Sequence, residues 1–211
     1  MKTVVMLRVC PGAPVSNLPA ALRESPWAAQ ASRIAVHLAV PAPAEAGRQP
    51  LPPAYDAVIE AWSDAPLDMA GDAALAGLGT LEVFSSREVI GKAEGLAPVG
   101  ATPGLSQLTF IRAIEGMPRS EAERHWDEHI PLACEIHVGM DRYVQDRLSP
   151  AGPGTSPWFG MAHLHFPDEV SLREGLFRTA EDIAVITEDV AEFVCDHITI
   201  LATEHVVKAE L

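Results

Sequence analysis

Alternating apolar and polar positions are clearest in WFGMAHLHF, residues 158–166. Successive side chains of a strand point to opposite faces of its sheet, so this spacing predicts a strand. Met161, His163 and His165 then share one face, and the opposite face is small or apolar. Because the apolar face suits packing beneath helices, we expect the two histidines to point into the interior of the fold.

The rest of the second half reads as a series of strands and helices separated by glycine and proline. Ser120 and Glu123 have the spacing of a capping box, which predicts the start of a helix. In order, the elements are a strand at 106–114, a helix from 120 to 135–138, strands at 140–148 and 158–166, one or two helices within 167–194, and a strand at 195–207. This β-α-β-β-α-β order is that of a ferredoxin-like unit.

The first half repeats this order more faintly, with a period of about 105 residues. Its matching segments are 3–9, 18–31, 31–43, 54–64 and 85–91. The alignment places Arg8 opposite Arg112, Arg33 opposite Arg142, Glu60 opposite His163, Trp62 opposite His165 and Glu88 opposite Glu204. A four-stranded sheet with helices on one face leaves its other face bare, and a second copy can cover it. We therefore predict an α+β fold of two ferredoxin-like units, residues 1–100 and 101–211, whose antiparallel sheets pack into one barrel.

Polar residues are expected inside this barrel. Alternation points Val58, Glu60 and Trp62 inward, as it does the two histidines of the equivalent strand. A few polar groups in an otherwise apolar interior are typical of a small-molecule pocket. The alternative is a Glu/His network that only fixes the closure of the two sheets.

The segment RHWDEH, residues 124–129, contains H-x-x-E-H, which on paper is an inverted zinc-protease signature. His125 and His129 share a helix face, but the third ligand and the protease architecture that the motif requires have no counterpart in the sequence. A simpler metal site would add His163 or His165. The competing interpretation is that Trp126 and His129 anchor the helix on the sheet.

Charge and composition exclude some functions. The chain has 211 residues, 48% of them hydrophobic, and a formal net charge of −14 without any Lys/Arg cluster. Nucleic acid and anionic membranes are therefore poor partners. The three cysteines are widely separated, which favours the cytoplasm, and no apolar run is long enough to span a membrane. Phosphate-binding loops, nucleophile elbows and EF-hand loops are absent from the sequence.

ERHWDEHIPL followed by GMDRYVQDRL resembles the signature of the EthD family, and YDAVIEAWSD is similar to its third strand. The resemblance implies a dimeric α+β barrel, here fused as a tandem pair, with His129 as the signature residue. The first copy lacks the W-x-x-H motif in residues 18–31, so only one of the two pockets can be competent through that motif. Pairing of two such barrels into a homodimer stays open.

These observations predict a cofactor-independent enzyme that transfers protons on a small apolar or aromatic carbonyl compound, as a lyase, dehydratase, isomerase or cyclase. An oxidoreductase, either cofactor-free or heme-binding, and a non-catalytic accessory protein are the alternatives. The acid/base candidates are His129, His163 and His165. The candidate substrate contacts are Trp126, Tyr143, Arg112, Glu60, Trp62 and Met161. Neither a metal nor a cofactor is expected, although one histidine would suffice to ligate a heme.

Overall fold

The structure is a computed structural model that describes residues 1–41, 53–69, 71–93, 97–151 and 156–210. Its strands are β1 (Lys2–Val9), β2 (Ala31–Val40), β3 (Ala57–Ser63), β4 (Gly79–Ala93), β5 (Gly100–Ala101), β6 (Leu105–Ala113), β7 (Arg142–Pro150), β8 (Gly160–Phe166) and β9 (Val194–Ala209). Its α-helices are α1 (Leu18–Arg23), α2 (Ala73–Leu78), α3 (Arg119–Ile136), α4 (Glu169–Gly175) and α5 (Ala180–Ala191).

The strands form one antiparallel sheet in the order β2-β3-β1-β4-β7-β8-β6-β9-β5, and β2 also pairs with β9. This last pairing joins the two ends of the sheet, so eight strands close into a barrel and the short β5 lies beside β9. Each half contributes four of the eight barrel strands in the ferredoxin-like order. The predicted α+β barrel is therefore confirmed.

The sheet packs differently on its two faces. The barrel interior contains an apolar cluster that includes Val4, Val58, Phe110 and Met161. Outside the barrel, separate apolar clusters lie beneath α1 in the first half and beneath α3 in the second. Strand alternation is the cause, because neighbouring residues of one strand serve different clusters.

Strand register agrees with the alignment of the two halves. Arg33 pairs with Trp62 between β2 and β3, and Arg142 pairs with His165 at the corresponding place between β7 and β8. Glu60 and His163 likewise occupy matching positions on β3 and β8, opposite Val4 and Leu108. The division of the chain at residue 100 into two units remains a prediction.

Three local predictions differ from the structure. The capping box at Ser120 is wrong, because α3 begins at Arg119 with Pro118 as an N-cap that makes no side-chain hydrogen bond. The predicted helix at 18–31 is limited to the six residues of α1, with 3₁₀ turns before and after it. The predicted strand at 31–43 ends at Val40, and residues 42 and 43 lie outside the described residues.

None of the helices in the described ranges is both long enough and apolar enough to cross a membrane.

Candidate functional site

A cavity of about 350 Å³ lies between the outer face of the second-half sheet and the helices α3 and α5. We call it the helix-side cavity. Its walls are mostly apolar, and three of the sequence-predicted residues, Trp126, His129 and Tyr143, line it. A neighbouring groove of about 560 Å³ along α4 shares Gln107, Leu176, Phe177 and Thr199 with this cavity. The space available to a ligand therefore extends along the helices.

Trp126 fixes α3 against the sheet at one side of this cavity. The side chain is 2% exposed, and the Arg147 guanidinium lies 3.9 Å from the centre of its ring. Gly160, the first residue of β8, allows the indole to approach, because a Cβ added there would collide with the Trp126 ring. The Gln145 side chain also donates a 2.8 Å hydrogen bond to the Trp126 carbonyl. This packing holds the face of α3 that carries His129 toward the sheet.

His129 is paired with a carboxylate from the opposite helix. Its Nδ1 lies 2.5 Å from Oδ2 of Asp189 on α5, and the Asp189 side chain is 33% exposed. A carboxylate accepts hydrogen bonds, so the pairing places the imidazole proton on Nδ1. Nε2 is then the ring nitrogen that can accept a proton at the wall of the cavity.

Two further groups give the cavity polar character. Burial lowers the pKa of His137 below its usual value, and its Nδ1 donates a 2.7 Å hydrogen bond to the Leu176 carbonyl. Burial raises the pKa of Tyr143 to about 12, so its hydroxyl keeps its proton at neutral pH. This hydroxyl accepts a 2.7 Å hydrogen bond from the Gln145 side chain. His137 is therefore a neutral imidazole, and Tyr143 is a donor.

A second cavity, of about 310 Å³, lies at one end of the barrel interior and contains Glu60, Trp62 and His163. We call it the barrel cavity. Its floor is an ion cluster in which Lys2 Nζ lies 2.6 Å from Glu60 Oε1, 3.0 Å from Glu88 Oε1 and 2.8 Å from Asp146 Oδ2. We name Lys2, Glu60, Glu88 and Asp146 the lysine cluster. The Trp62 indole lies beside this cluster and donates a 2.8 Å hydrogen bond to Glu88.

The lysine cluster shifts the pKa values of its carboxyl groups in opposite directions. Burial opposes ionisation of Glu60, but Lys2 and His37 together keep the pKa of this carboxyl well below its usual value. Burial and the neighbouring Glu60 raise the pKa of Asp146 to about 6, against the opposing effect of Lys2. Glu60 is therefore held ionised by its neighbours, and the buried ion pairs fix the geometry of the cluster.

His163 and His165 face inward, as alternation predicts, but they do not meet His129. His163 is 3% exposed, its Nε2 lies 3.0 Å from Ser106 Oγ, and burial holds its pKa well below the usual value. His165 uses both ring nitrogens, toward Asp141 Oδ1 at 2.6 Å and the Pro103 carbonyl at 3.0 Å. The sheet itself therefore separates the two interior histidines from the helix-side cavity.

Two of the other predicted substrate contacts, Met161 and Arg112, lie outside both cavities. Met161 is fully buried in the apolar interior of the barrel and lines neither cavity. Arg112 has a side chain 48% exposed and lies 3.3 Å from Asp196, so it reaches neither cavity. His125 lies 3.4 Å from Glu192. With His163 and His165 on the opposite face of the sheet, the metal site considered for the H-x-x-E-H helix is not assembled.

Sequence reasoning missed Asp189 and His137. Asp189 lies in EDVAEF, where it reads as one of several acidic residues on a solvated helix, and only the packing of α5 on α3 brings it to His129. His137 follows the last residue of α3, and the expectation of a plain helix end concealed it. The sequence feature that could have identified His137 is its position at the C-terminal end of the helix that carries His129.

Residues 114–197 match the family profile described as the EthD domain, which confirms the EthD resemblance of the second half. The fold is similar to that of an anthrone oxidase-like protein, with a TM-score of 0.62, 9% identity, and coverage of 100% of this chain and 94% of the other. Putative monooxygenases from Fusobacterium nucleatum and Lactobacillus acidophilus give TM-scores of 0.56 and 0.55. Their identities are 9% and 7%, and they cover 99% of this chain and 93% and 96% of theirs. At such identities the similarity establishes the fold alone. No curated protein matches the sequence.

Proposed function

We propose that this protein is a small-molecule enzyme whose reaction takes place in the helix-side cavity, with His129 as the general acid/base. The observation that carries the proposal is the 2.5 Å contact between His129 and Asp189 on the wall of a mostly apolar cavity. An imidazole oriented by a carboxylate is a recurring arrangement for proton transfer, because the carboxylate fixes the tautomer and stabilises the imidazolium that forms. Asp189 is accordingly the positioning residue.

The cavity favours a small, largely apolar substrate with one acidic C–H bond beside a carbonyl group. Its apolar walls include Trp126 and Phe193 and exclude water from a bound ring. His129 Nε2 would remove the proton, and the resulting negative charge would develop on the carbonyl oxygen. The protonated Tyr143 hydroxyl can stabilise that oxygen by donating a hydrogen bond.

Proton return to a different atom gives an isomerase, and loss of a leaving group gives a lyase or dehydratase.

An oxidoreductase is the second candidate, because the anthrone oxidase-like and monooxygenase neighbours share the barrel. The first step would be the same, and the carbanion would then transfer electrons to dioxygen.

Hydrogen exchange in D₂O tests the shared first step. Anthrone and a set of aryl ketones would be incubated with the protein under nitrogen, and deuterium incorporation beside the carbonyl would be followed by NMR. We expect catalysed exchange for at least one compound, with a loss of about 100-fold or more in His129→Gln. Asp189→Asn should lose part of this rate, because the imidazole keeps its place but not its tautomer.

His125→Gln is the matched control, since His125 lies on the same helix, does not line the cavity and pairs with the exposed Glu192. It should keep the full exchange rate. Oxygen uptake in air by the same compounds would favour the oxidoreductase. Unchanged exchange in a folded His129→Gln variant would contradict the proposal. No exchange with any compound, together with compound-induced stabilisation, would favour a binding protein.

A further inference from the structure

The two halves of the barrel place different side chains at matching positions around its interior. One set of positions holds the lysine cluster, with Lys2, Glu60 and Glu88 from the first half and Asp146 from the adjoining strand β7. The strand registers place Ser106, His163 and Glu204 of the second half at the positions that match Lys2, Glu60 and Glu88, and His37 of β2 at the position that matches Asp146. We name these four residues the histidine cluster.

The comparison shows what the histidine cluster lacks. In the lysine cluster, the Lys2 ammonium is a cation held by three carboxylates at 2.6–3.0 Å. In the histidine cluster the lysine is replaced by Ser106, whose short side chain carries no charge and only reaches His163 Nε2 at 3.0 Å. The Lys2 ammonium therefore has no counterpart at Ser106, and the cation that contacts Glu204 is the Arg142 guanidinium, at 2.8 Å from Oε2.

These three groups have the chemistry and spacing of metal ligands. The ligand atoms of His37, His163 and Glu204 all lie within 4.8 Å of one another, and all three residues are buried. Bonds of about 2.1 Å to a tetrahedral metal place ligand atoms about 3.4 Å apart, so modest side-chain rotations would complete the site.

His37 supplies an independent observation. The residue is fully buried, and its Nδ1 has no hydrogen-bond partner among the residues that the structure describes. A buried polar atom without a partner is costly, because it loses its hydrogen bonds to water and gains none in return. The other ring nitrogen, Nε2, lies 2.9 Å from Glu60 Oε2. A metal-binding histidine typically has its second nitrogen held by a carboxylate in this manner, which leaves the first nitrogen for the ion.

We propose that His37, His163 and Glu204 bind one divalent transition-metal ion inside the barrel. Two imidazoles and one carboxylate suit Zn²⁺, Co²⁺ or Fe²⁺ rather than Ca²⁺ or Mg²⁺, which prefer oxygen ligands. His163 and Glu204 line the barrel cavity, which offers a route of entry and open coordination positions. Arg142 Nη2 donates a 2.8 Å hydrogen bond to Glu204 Oε2, which holds this carboxylate in place beside the two imidazoles. The site is separate from the helix-side cavity and does not rest on the proposed function.

Metal binding to the whole chain tests the proposal. Protein dialysed against EDTA would be titrated with Co²⁺ and Zn²⁺, with visible absorption and calorimetry as readouts. We expect one ion per chain, Co²⁺ absorption typical of low coordination number, and a rise in melting temperature. His163→Gln, His37→Gln and Glu204→Gln should each weaken binding at least 100-fold. His125→Gln, which removes a histidine of α3 outside the barrel, should leave metal binding unchanged.

The comparison with the lysine cluster suggests a second, more specific test of metal binding. Ser106→Lys should place an ammonium where the metal would sit and abolish Co²⁺ binding, because the fold already accommodates a lysine at the matching position. His37→Gln keeps the proposal testable if the lysine variant does not fold. Binding that persists in His37→Gln, binding that is lost in His125→Gln, or no binding at all to the wild-type chain would each overturn it.

Discussion

The two faces of the second-half sheet carry histidines in opposite circumstances. On the outer face, His129 lines an apolar cavity and has one carboxylate partner, Asp189, whose side chain is one-third exposed. On the inner face, His163 and His165 lie among fixed polar partners, and both nitrogens of His165 are occupied. A histidine can exchange protons with a substrate only where a nitrogen is free beside open space. All three residues are histidines. What distinguishes the candidate catalyst His129 from the two inner histidines is therefore its burial and the number of its hydrogen-bond partners.

The largest effect should come from the inner face. Lys2→Met leaves Glu60 and Asp146 buried without their shared cation, and we expect the free energy of unfolding to fall by about 3–5 kcal/mol. Urea unfolding measures it. Arg124→Met, which breaks an exposed ion pair with Glu128 on α3, should change stability by less than about 1 kcal/mol. Similar losses of unfolding free energy in the two variants would show that the buried lysine cluster contributes no more stability than an exposed ion pair.

A smaller loss is expected where the outer face meets α3. Gly160→Ala adds a Cβ that collides with the Trp126 ring, so stability should fall by about 1–3 kcal/mol and binding in the helix-side cavity should weaken. Gly77→Ala is the control, because its Cβ meets no atom within 4 Å. Removal of a helix glycine at Gly77 should stabilise by up to about 1 kcal/mol. Thermal unfolding of both variants decides whether the Trp126 contact is as tight as the structure indicates.

The pH dependence of stability probes Asp146. Its pKa of about 6 in the folded chain lies above the value of 3.8 for a free aspartate, so the folded state binds more protons between these values. Stability contributed by this carboxyl is therefore present at low pH and is lost as pH rises toward 6. Relative to Asp146→Asn, the wild type should lose at most about 1.4 kcal/mol per pH unit in this window. Parallel stability curves for the two proteins from pH 4 to 7 would contradict the raised pKa.

The smallest effect concerns the helix that carries Asp189. Thr179 caps α5 in a capping box with Asp182, so Thr179→Ala should destabilise the protein by about 1 kcal/mol. Ser120→Ala, at the site where the sequence predicted a cap, should change stability by less than about 0.5 kcal/mol. Equal losses in urea unfolding would mean that Ser120 does cap α3.

Much of the architecture could be predicted from periodicity. The alternation in residues 158–166 correctly separated the inward histidines from the apolar residues under α3, because strand geometry alone determines which residues share a face. The pairing of Arg33 with Trp62 and of Arg142 with His165 agrees with the aligned halves for the same reason. The capping box failed because α3 begins at Arg119, one residue earlier, so Ser120 lies inside the first turn and cannot act as the N-cap.

The sequence by itself determined the order of strands and helices after residue 105, the inward direction of Glu60, His163 and His165, and the position of His129 on the signature helix. These properties follow from side-chain spacing along single elements. Only the tertiary structure decided that His129 and His163 lie on opposite sides of one sheet, that Asp189 meets His129, and that His37 joins Glu204 across the closing strands. Each of these depends on the packing of elements distant in the chain, which spacing along one element does not encode.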